Sequence, residues 1–106
     1  MFSAQFIFQP GTYDEEFHRL DKSIDEYALT LPGFKGVERW VSPDGVTKNS
    51  IYYFADRETI SKFARFPNHY EAKKQVARWY NAYQVVISEV VATYGDGNIS
   101  TLAQAE

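Results

Sequence analysis

The fold is decided by the stretch LPGFKGVERWVSPDGVTKNSIYYFAD, residues 31–56, which contains a helix stop, two strands and the turn between them. The Pro32-Gly33 pair ends the preceding helix, because proline lacks an amide donor and glycine adopts positive φ at low cost. Residues 34–42 and 48–55 are predicted strands, and the Pro-Asp-Gly sequence at 43–45 is typical of a tight turn. The stretch therefore predicts a β-hairpin that follows one helix and precedes another.

The segment before the hairpin predicts one strand and one helix. Apolar and polar residues alternate over residues 2–8, with Ile7 as the exception, which is the period of a strand with one apolar face. Pro10-Gly11 ends this strand, and Thr12 or Asp14 is placed to cap the helix that follows. The apolar side chains of that helix recur at helical spacing and form one stripe, which consists of Phe17, Leu20, Ile24, Tyr27 and Leu31.

Beyond the hairpin the sequence predicts a pair of short helices. Asp56 is placed to cap the first, and Pro67 ends it because proline interrupts helical hydrogen bonding. Asn68, with Glu71 three residues later, resembles a capping box that starts the second helix. This second helix is expected to reach about residue 80.

A last strand is predicted over residues 82–94, and Gly95-Asp96-Gly97 ends it. The order strand, helix, strand, strand, helix pair, strand, with right-handed crossovers, favours an α+β fold. Specifically, it predicts a ferredoxin-like βαββαβ antiparallel sheet with the helices on one face. A single domain is expected over residues 1–95, followed by a C-terminal tail over residues 96–106.

The second face of this sheet is too apolar for a surface that faces water. Ile7 lies on the less apolar side of the first strand, Val37 and Val41 lie opposite Phe34 and Trp40 on the second, and the last strand is apolar on both sides. The chain has no further residues to cover that face. We therefore expect a homodimer in which two sheets pack against each other.

Composition excludes several classes of function. The 106 residues carry a net charge of −3 with dispersed basic residues, so no nucleic-acid partner is expected. The absence of cysteine excludes disulfides, thiolate nucleophiles and cysteine-ligated metals. No apolar run is long enough for a membrane span and the N-terminus has no signal-peptide pattern, so a cytoplasmic protein without a membrane partner is expected.

His69 is the main candidate for chemistry. It falls in the first turn of a predicted helix, where the helix dipole favours a neutral ring that can accept a proton or bind a metal. The alternative is a surface histidine with one backbone hydrogen bond. His18 lies beside the apolar stripe of the first helix, and two histidines so far apart make no metal signature, so no metal site is predicted.

Trp40 has two alternative environments. A shift of one residue in the hairpin register decides whether its ring lines a cavity under the helices or faces a partner subunit. Glu38 and Arg39 point to opposite faces of the same strand, so at least one lies on a covered face. That residue is interpreted either as half of an interface ion pair or as an anion anchor.

Four segments resemble the antibiotic biosynthesis monooxygenase family in their order and spacing. They are LPGFKG at 31–36, YYFAD at 52–56, FPNH at 66–69 with Ala72-Lys73, and Trp79-Tyr80 before the last strand. The resemblance covers roughly residues 2–95. It implies the dimeric α+β barrel fold, which heme-degrading relatives share, and a small cavity in each subunit of a homodimer, between helices and sheet.

The resemblance implies two kinds of oxygenase chemistry. Cofactor-free members oxidise polycyclic aromatic phenols with dioxygen, which the carbanion of the substrate itself reduces. Heme-degrading members use an asparagine, a tryptophan and a histidine, and Phe6, Phe63 and Lys73 stand at those positions here. Phenylalanine cannot hydrogen-bond heme-bound oxygen, and lysine binds iron only after losing its proton. No cofactor is therefore predicted, with heme bound through His69 as the alternative.

These observations predict a small monooxygenase-like protein that oxidises an aromatic or heme-like ligand in an aromatic cavity. His69 is the catalytic candidate, and the candidate ligand-binding residues are Phe6, Phe8, Trp40, Phe54, Phe63 and Tyr80. Two alternatives stay open, namely a non-catalytic dimeric binding or stress-response module for a small hydrophobic ligand, and a purely structural dimer. A cavity shared by His69 and at least one tyrosine or arginine would favour the enzyme.

Overall fold

The computed structural model describes residues 1–104, and its elements follow the predicted order. The strands are β1 (Phe2–Pro10), β2 (Phe34–Val41), β3 (Lys48–Phe54) and β4 (Tyr80–Glu89). The helices are α1 (Glu15–Thr30), α2 (Arg57–Arg65), α3 (Pro67–Lys74) and α4 (Val76–Trp79), and a 3₁₀ turn spans Leu102–Gln104. No helix within residues 1–104 is long and apolar enough to cross a membrane.

The four strands form one antiparallel sheet in the order β2-β3-β1-β4. This is the strand order of a ferredoxin-like fold, so the predicted α+β architecture is confirmed. The sheet of a single chain is open at β2 and β4 and is not a closed barrel.

Two aspartates start the longer helices as predicted. The Asp14 carboxylate accepts a hydrogen bond from the Phe17 amide at 2.9 Å, and that of Asp56 accepts one from the Thr59 amide at 2.8 Å. Each aspartate thereby satisfies an amide donor that the first helical turn leaves free.

The predicted capping box at the start of α3 is wrong. Pro67 is the first helical residue, because the first turn does not use its missing amide, and no side chain caps this helix. Asn68 therefore lies inside the first turn, where its Nδ2 donates to Ser23 Oγ on α1 at 3.0 Å. Further along, Gln75 Nε2 donates to Glu16 Oε1 at 3.1 Å, so α3 packs antiparallel to α1.

A β-bulge at Gly36 sets the faces of β2. The register shifts between Phe34 and Gly36, which has φ +128°, and the alternation of side chains restarts after it. Phe34, Val37 and Val41 consequently share the face that the helices cover, and Trp40 lies on the other face. The expectation that Val37 and Val41 lie opposite Phe34 is therefore wrong.

β4 is shorter than predicted at its end and begins two residues earlier. Its pairing with β1 ends at Phe2 opposite Glu89, followed by one hydrogen bond from the Val90 amide to the Met1 carbonyl. Beyond that point β1 offers no further residues for pairing, so the apolar residues up to 94 are not part of the strand. The tail then returns to β2, where the Leu102 amide donates to Glu38 Oε2 at 3.3 Å.

The core consists of two clusters between the helices and the sheet. One contains Ala28, Leu31, Phe54, Ile60 and Phe63, and the other contains Phe17, Leu20 and Trp79. α1 contributes to both clusters through its predicted apolar stripe. The space between the two clusters is the location of the candidate site.

Candidate functional site

A cavity of about 430 Å³ lies between the helices and the sheet. Its volume is within the range of about 300–1,000 Å³ that small-molecule sites commonly have. β1 and β4 form its floor, and α1, α2 and α3 form its walls. Most of the lining is apolar and includes Leu20, Ile24, Ile60, Val76, Trp79 and Val85.

His69 is the residue of the lining best suited to accept a proton. Its Nδ1 lies 3.0 Å from the Phe63 carbonyl oxygen. A carbonyl oxygen only accepts hydrogen bonds, so Nδ1 carries the proton of the neutral ring and Nε2 keeps its lone pair. The Phe63 ring packs against the imidazole with a centroid separation of 4.6 Å. The backbone and the aromatic contact together fix the tautomer and the position of the ring.

The imidazole of His69 is neutral at neutral pH. Burial lowers its pKa below the ordinary value of 6.5, the bond to Phe63 opposes this shift, and the charge of Lys73 adds to it. The sequence prediction of a neutral ring invoked the helix dipole, whereas the structure gives burial as the main cause.

Asp21 is a second polar group in the lining, and sequence reasoning missed it. It follows Leu20 on α1, lines the cavity and is exposed to solvent. Partial burial and the negative charge of Asp25 raise the pKa of its carboxyl group, while Arg39 and His18 oppose the shift. The sequence held one signal, because Asp21 and Asp25 are like charges at i,i+4 with no lysine or arginine at helical spacing from Asp21.

Two tyrosines add hydroxyl groups to the same cavity. The Tyr52 hydroxyl donates to Asp25 Oδ1 at 3.4 Å and accepts from Arg39 Nη2 at 3.5 Å, and burial is the main cause that raises its pKa to about 12. Burial likewise raises the pKa of Tyr80, with further contributions from Tyr13, Asp21 and Tyr52. Both tyrosines are therefore protonated phenols at neutral pH.

Arg39 makes polar contacts within its own chain. Besides its contact with Tyr52, its guanidinium lies 3.9 Å from Asp25 Oδ2 on α1. Glu38, on the other face of the strand, accepts the amide of Leu102. The interface ion pair and the anion anchor considered from the sequence stay predictions.

Four of the seven candidate residues meet at this cavity, namely Phe6, Phe63, His69 and Tyr80. The other three lie outside its lining. Phe8 packs behind it, with ring centroids 4.9 Å from Phe6 and 5.2 Å from Tyr80. Phe54 is fully buried in the core cluster below Phe63. Trp40 is 56% exposed on the opposite face of the sheet, because the bulge at Gly36 shifts the alternation.

The lining does not fit the donor set that the resemblance implies for heme degradation. Phe6 and Phe63 present rings without hydrogen-bonding groups at two of the three positions, and Lys73 presents an amine at the third. The indole of Trp79 also faces this region, but its Nε1 donates to Asp14 Oδ1 at 3.1 Å. Among residues 1–104, no group of three His, Cys, Asp or Glu side chains could hold a metal ion.

Sequence comparison gives no match to a protein family or to a curated protein. Comparison of structures gives clear matches. Rv0793 from Mycobacterium tuberculosis is 14% identical, with a TM-score of 0.65 over 91% of this chain and 97% of that chain. SnoaB, a cofactor-independent oxygenase from Streptomyces nogalater, is 12% identical, with a TM-score of 0.66 over 87% of this chain and 94% of its own.

A further matching structure is that of an antibiotic biosynthesis monooxygenase, at 11% identity and a TM-score of 0.62. The match covers 87% of this chain and all of that chain. At these identities the likeness extends to the fold, and the predicted resemblance is confirmed at that level. The chain thus has the α+β, ferredoxin-like fold of the antibiotic biosynthesis monooxygenase structures.

Proposed function

We propose that this protein is a small monooxygenase that oxidises an aromatic ligand in the cavity between helices and sheet, without a cofactor and with His69 as the general base. The observation that carries the proposal is the neutral imidazole of His69, whose Nε2 has a free lone pair in a mainly apolar cavity. A base in such surroundings is unprotonated near neutral pH and is therefore able to accept a proton. The fold shared with SnoaB, a cofactor-independent oxygenase, supports the same reaction class.

The chemistry needs only the ligand, dioxygen and a base. Nε2 of His69 removes a proton from an activated CH₂ group of the ligand, and the carbanion that forms is delocalised over the aromatic system. That carbanion supplies electrons to dioxygen and forms a carbon–oxygen bond. Oxidation of CH₂ to C=O releases four electrons, which reduce dioxygen completely. One oxygen atom enters the product, and the other leaves as water with both hydrogens.

The enclosing side chains support this reaction in two ways. Apolar side chains around the ligand exclude water, which strengthens electrostatic interactions between the base and the developing anion. Lys73 also lines the cavity and its charge acts on His69, so it adds positive charge near the anion. The presence of His69 and Tyr80 in one cavity favours this enzyme over the non-catalytic binding module.

The proposal is tested by oxygen uptake with anthrone, the keto tautomer of a polycyclic phenol, whose CH₂ group becomes the second carbonyl of anthraquinone. His69→Ala should lose uptake, because no other group of the lining provides a free imidazole nitrogen. His18→Ala is the matched control, since His18 is exposed and lies outside the cavity lining.

We further propose that the protein acts as a homodimer. The side chains of β4 are exposed on both faces, and Tyr83, Val85 and Ile87, which line the cavity, each remain more than half exposed. On the face of the sheet opposite the helices, Val86 and Trp40 are exposed as well. A second copy packed against the sheet face opposite the helices would cover Val86 and Trp40, and its contact with β4 would protect the unpaired edge of that strand. A cytoplasmic location stays a prediction from the sequence.

A further inference from the structure

The cavity has two polar sites, which lie on different walls. His69 and Lys73 belong to α3, whereas Asp21 belongs to α1 and lies near the hydroxyl groups of Tyr52 and Tyr80. Lys73 is the charged group that acts on His69, and Asp25, Arg39 and His18 are those that act on Asp21. The proposed reaction uses only the site on α3. The carboxyl group of Asp21 therefore has no role in that reaction.

The side chain of Asp21 also lacks a direct polar contact within residues 1–103. Its carboxyl group makes no hydrogen bond or ion pair with any of these residues. Asp25, one turn further along the same helix, is engaged by Arg39 and by the Tyr52 hydroxyl. A carboxylate that borders an apolar cavity without a hydrogen-bond partner loses part of its hydration, and the charges of Arg39 and His18 compensate for this only in part, since the pKa stays raised. A ligand that donates a hydrogen bond would compensate for this loss.

The charges of the cavity restrict what that ligand can be. A cationic ligand would be attracted by Asp21 but repelled by Lys73 in the same cavity. An anionic ligand would be attracted by Lys73 but repelled by Asp21. The lining as a whole is apolar and does not favour a charged ligand of either sign. The Tyr52 hydroxyl is already engaged, so Tyr80 offers the remaining hydroxyl near Asp21. A neutral hydroxyl group on the ligand fits these surroundings.

We propose that Asp21 contributes to specificity by accepting a hydrogen bond from a hydroxyl group of the ligand, so that the cavity binds neutral aromatic compounds with a hydroxyl group remote from the reacting position more tightly than analogues without one. The reacting position faces His69, and this half of the proposal rests on the proposed function. The hydroxyl group at the other end faces Asp21 on α1. Asp21 is thus a recognition residue, and the reaction itself needs no proton transfer from it.

Calorimetric titration tests this recognition with 2-naphthol and 2-methoxynaphthalene as probes, which differ in a single hydrogen-bond donor. The titration is done in a His69→Ala background, so that Asp21 is the acceptor under test. We expect 2-naphthol to bind about tenfold more tightly than the ether, as one charge-assisted hydrogen bond allows. Adding Asp21→Ala should reduce this preference to about one, and adding Glu26→Ala, an exposed acidic residue of the same helix outside the cavity lining, should leave it unchanged.

Three outcomes would overturn the inference. They are a preference that Asp21→Ala does not change, the absence of measurable 2-naphthol binding, and tighter binding of 2-naphthylmethylammonium than of 2-naphthol through Asp21. Asp21→Leu serves as a second variant, since leucine suits a helix and removes the acceptor at similar size. None of these outcomes depends on oxygen uptake. The inference and the proposed function can therefore fail separately.

Discussion

At the scale of single residues, the bond between the His69 ring and the Phe63 carbonyl decides which nitrogen can act as a base. The bond holds the proton on Nδ1, and burial keeps the ring neutral. Sequence reasoning identified His69 because it falls in the first turn of the helix that was predicted to begin at Asn68. It could not identify the Phe63 carbonyl as partner, because that contact depends on how α2 ends and α3 begins.

The lowered pKa of His69 has a consequence for stability. In the unfolded chain the ring takes up a proton at its ordinary pKa of 6.5, whereas the folded protein resists protonation until the pH is lower. Between 6.5 and the lower pKa of the folded protein, the unfolded state thus binds more protons than the folded state. The free energy of unfolding therefore decreases as the pH falls from 6.5 to that lower pKa. Above 6.5 the effect is absent, because the ring is neutral in both states.

His69→Gln should remove this contribution while its side-chain amide can still donate to the Phe63 carbonyl. Urea unfolding at a series of pH values on both sides of 6.5 measures the effect. We expect the free energy of unfolding of the wild type to fall more steeply below 6.5 than that of the variant. Parallel curves for the two proteins would show that the ring titrates as it does in the unfolded chain. The wild type and the variant both keep the Lys73 amine and the carboxyl group of Asp21, which line the same cavity. A difference between the two curves is therefore due to residue 69.

At the scale of elements, most of the architecture could be predicted because its signals are local. Proline, glycine and capping aspartates mark the ends of α1 and α2, and apolar spacing marks the buried face of α1. The bulge at Gly36 could not be predicted, since it depends on pairing with β3 across the hairpin. It moved Trp40 away from the cavity. The position of Asp21 in the cavity was missed for a similar reason, because α1 and the sheet create that space together.

Gly36 should tolerate substitution poorly. Its φ of +128° is unfavourable for any residue with a Cβ atom, and a Cβ there would lie 3.0 Å from Leu102 Cδ1 of the tail. Gly36→Ala should lower the free energy of unfolding by about 1–3 kcal/mol. Gly95→Ala is the matched control, because a Cβ at that position meets no atom within 4 Å, and its effect should stay within about 0.5 kcal/mol. Equal effects of the two substitutions in denaturant titrations would contradict the importance of the bulge.

At the scale of the whole molecule, one chain leaves much of its sheet uncovered. β4 is an edge strand with apolar side chains on both faces, and natural proteins seldom leave such an edge open. The alternation of apolar residues along the sequence is enough to indicate this surplus. It could not indicate which apolar side chains lie on the uncovered face, since the bulge decides which residues of β2 point to each face.

Light scattering after size exclusion tests the homodimer. The wild type should have twice the mass of one chain at micromolar concentration. Val86→Lys places a charge on the face of β4 opposite the helices, where the second copy is proposed to pack. The variant should therefore have the mass of a single chain. Leu29→Lys makes the same kind of change on α1, where the leucine is 76% exposed, and should leave the dimer intact. A wild type with the mass of one chain would contradict the proposed assembly.

The most direct test of the central claim, that neutral His69 is the base of an oxygenase, is the rate of oxygen uptake with anthrone. We predict that His69→Ala lowers kcat/KM by about 100-fold or more, as the loss of a general base does, and that His18→Ala retains the wild-type value. The product should be anthraquinone, with one dioxygen consumed per anthrone. Uptake that is equal in His69→Ala and in the wild type, or no uptake by the wild type above the uncatalysed rate, would contradict the claim.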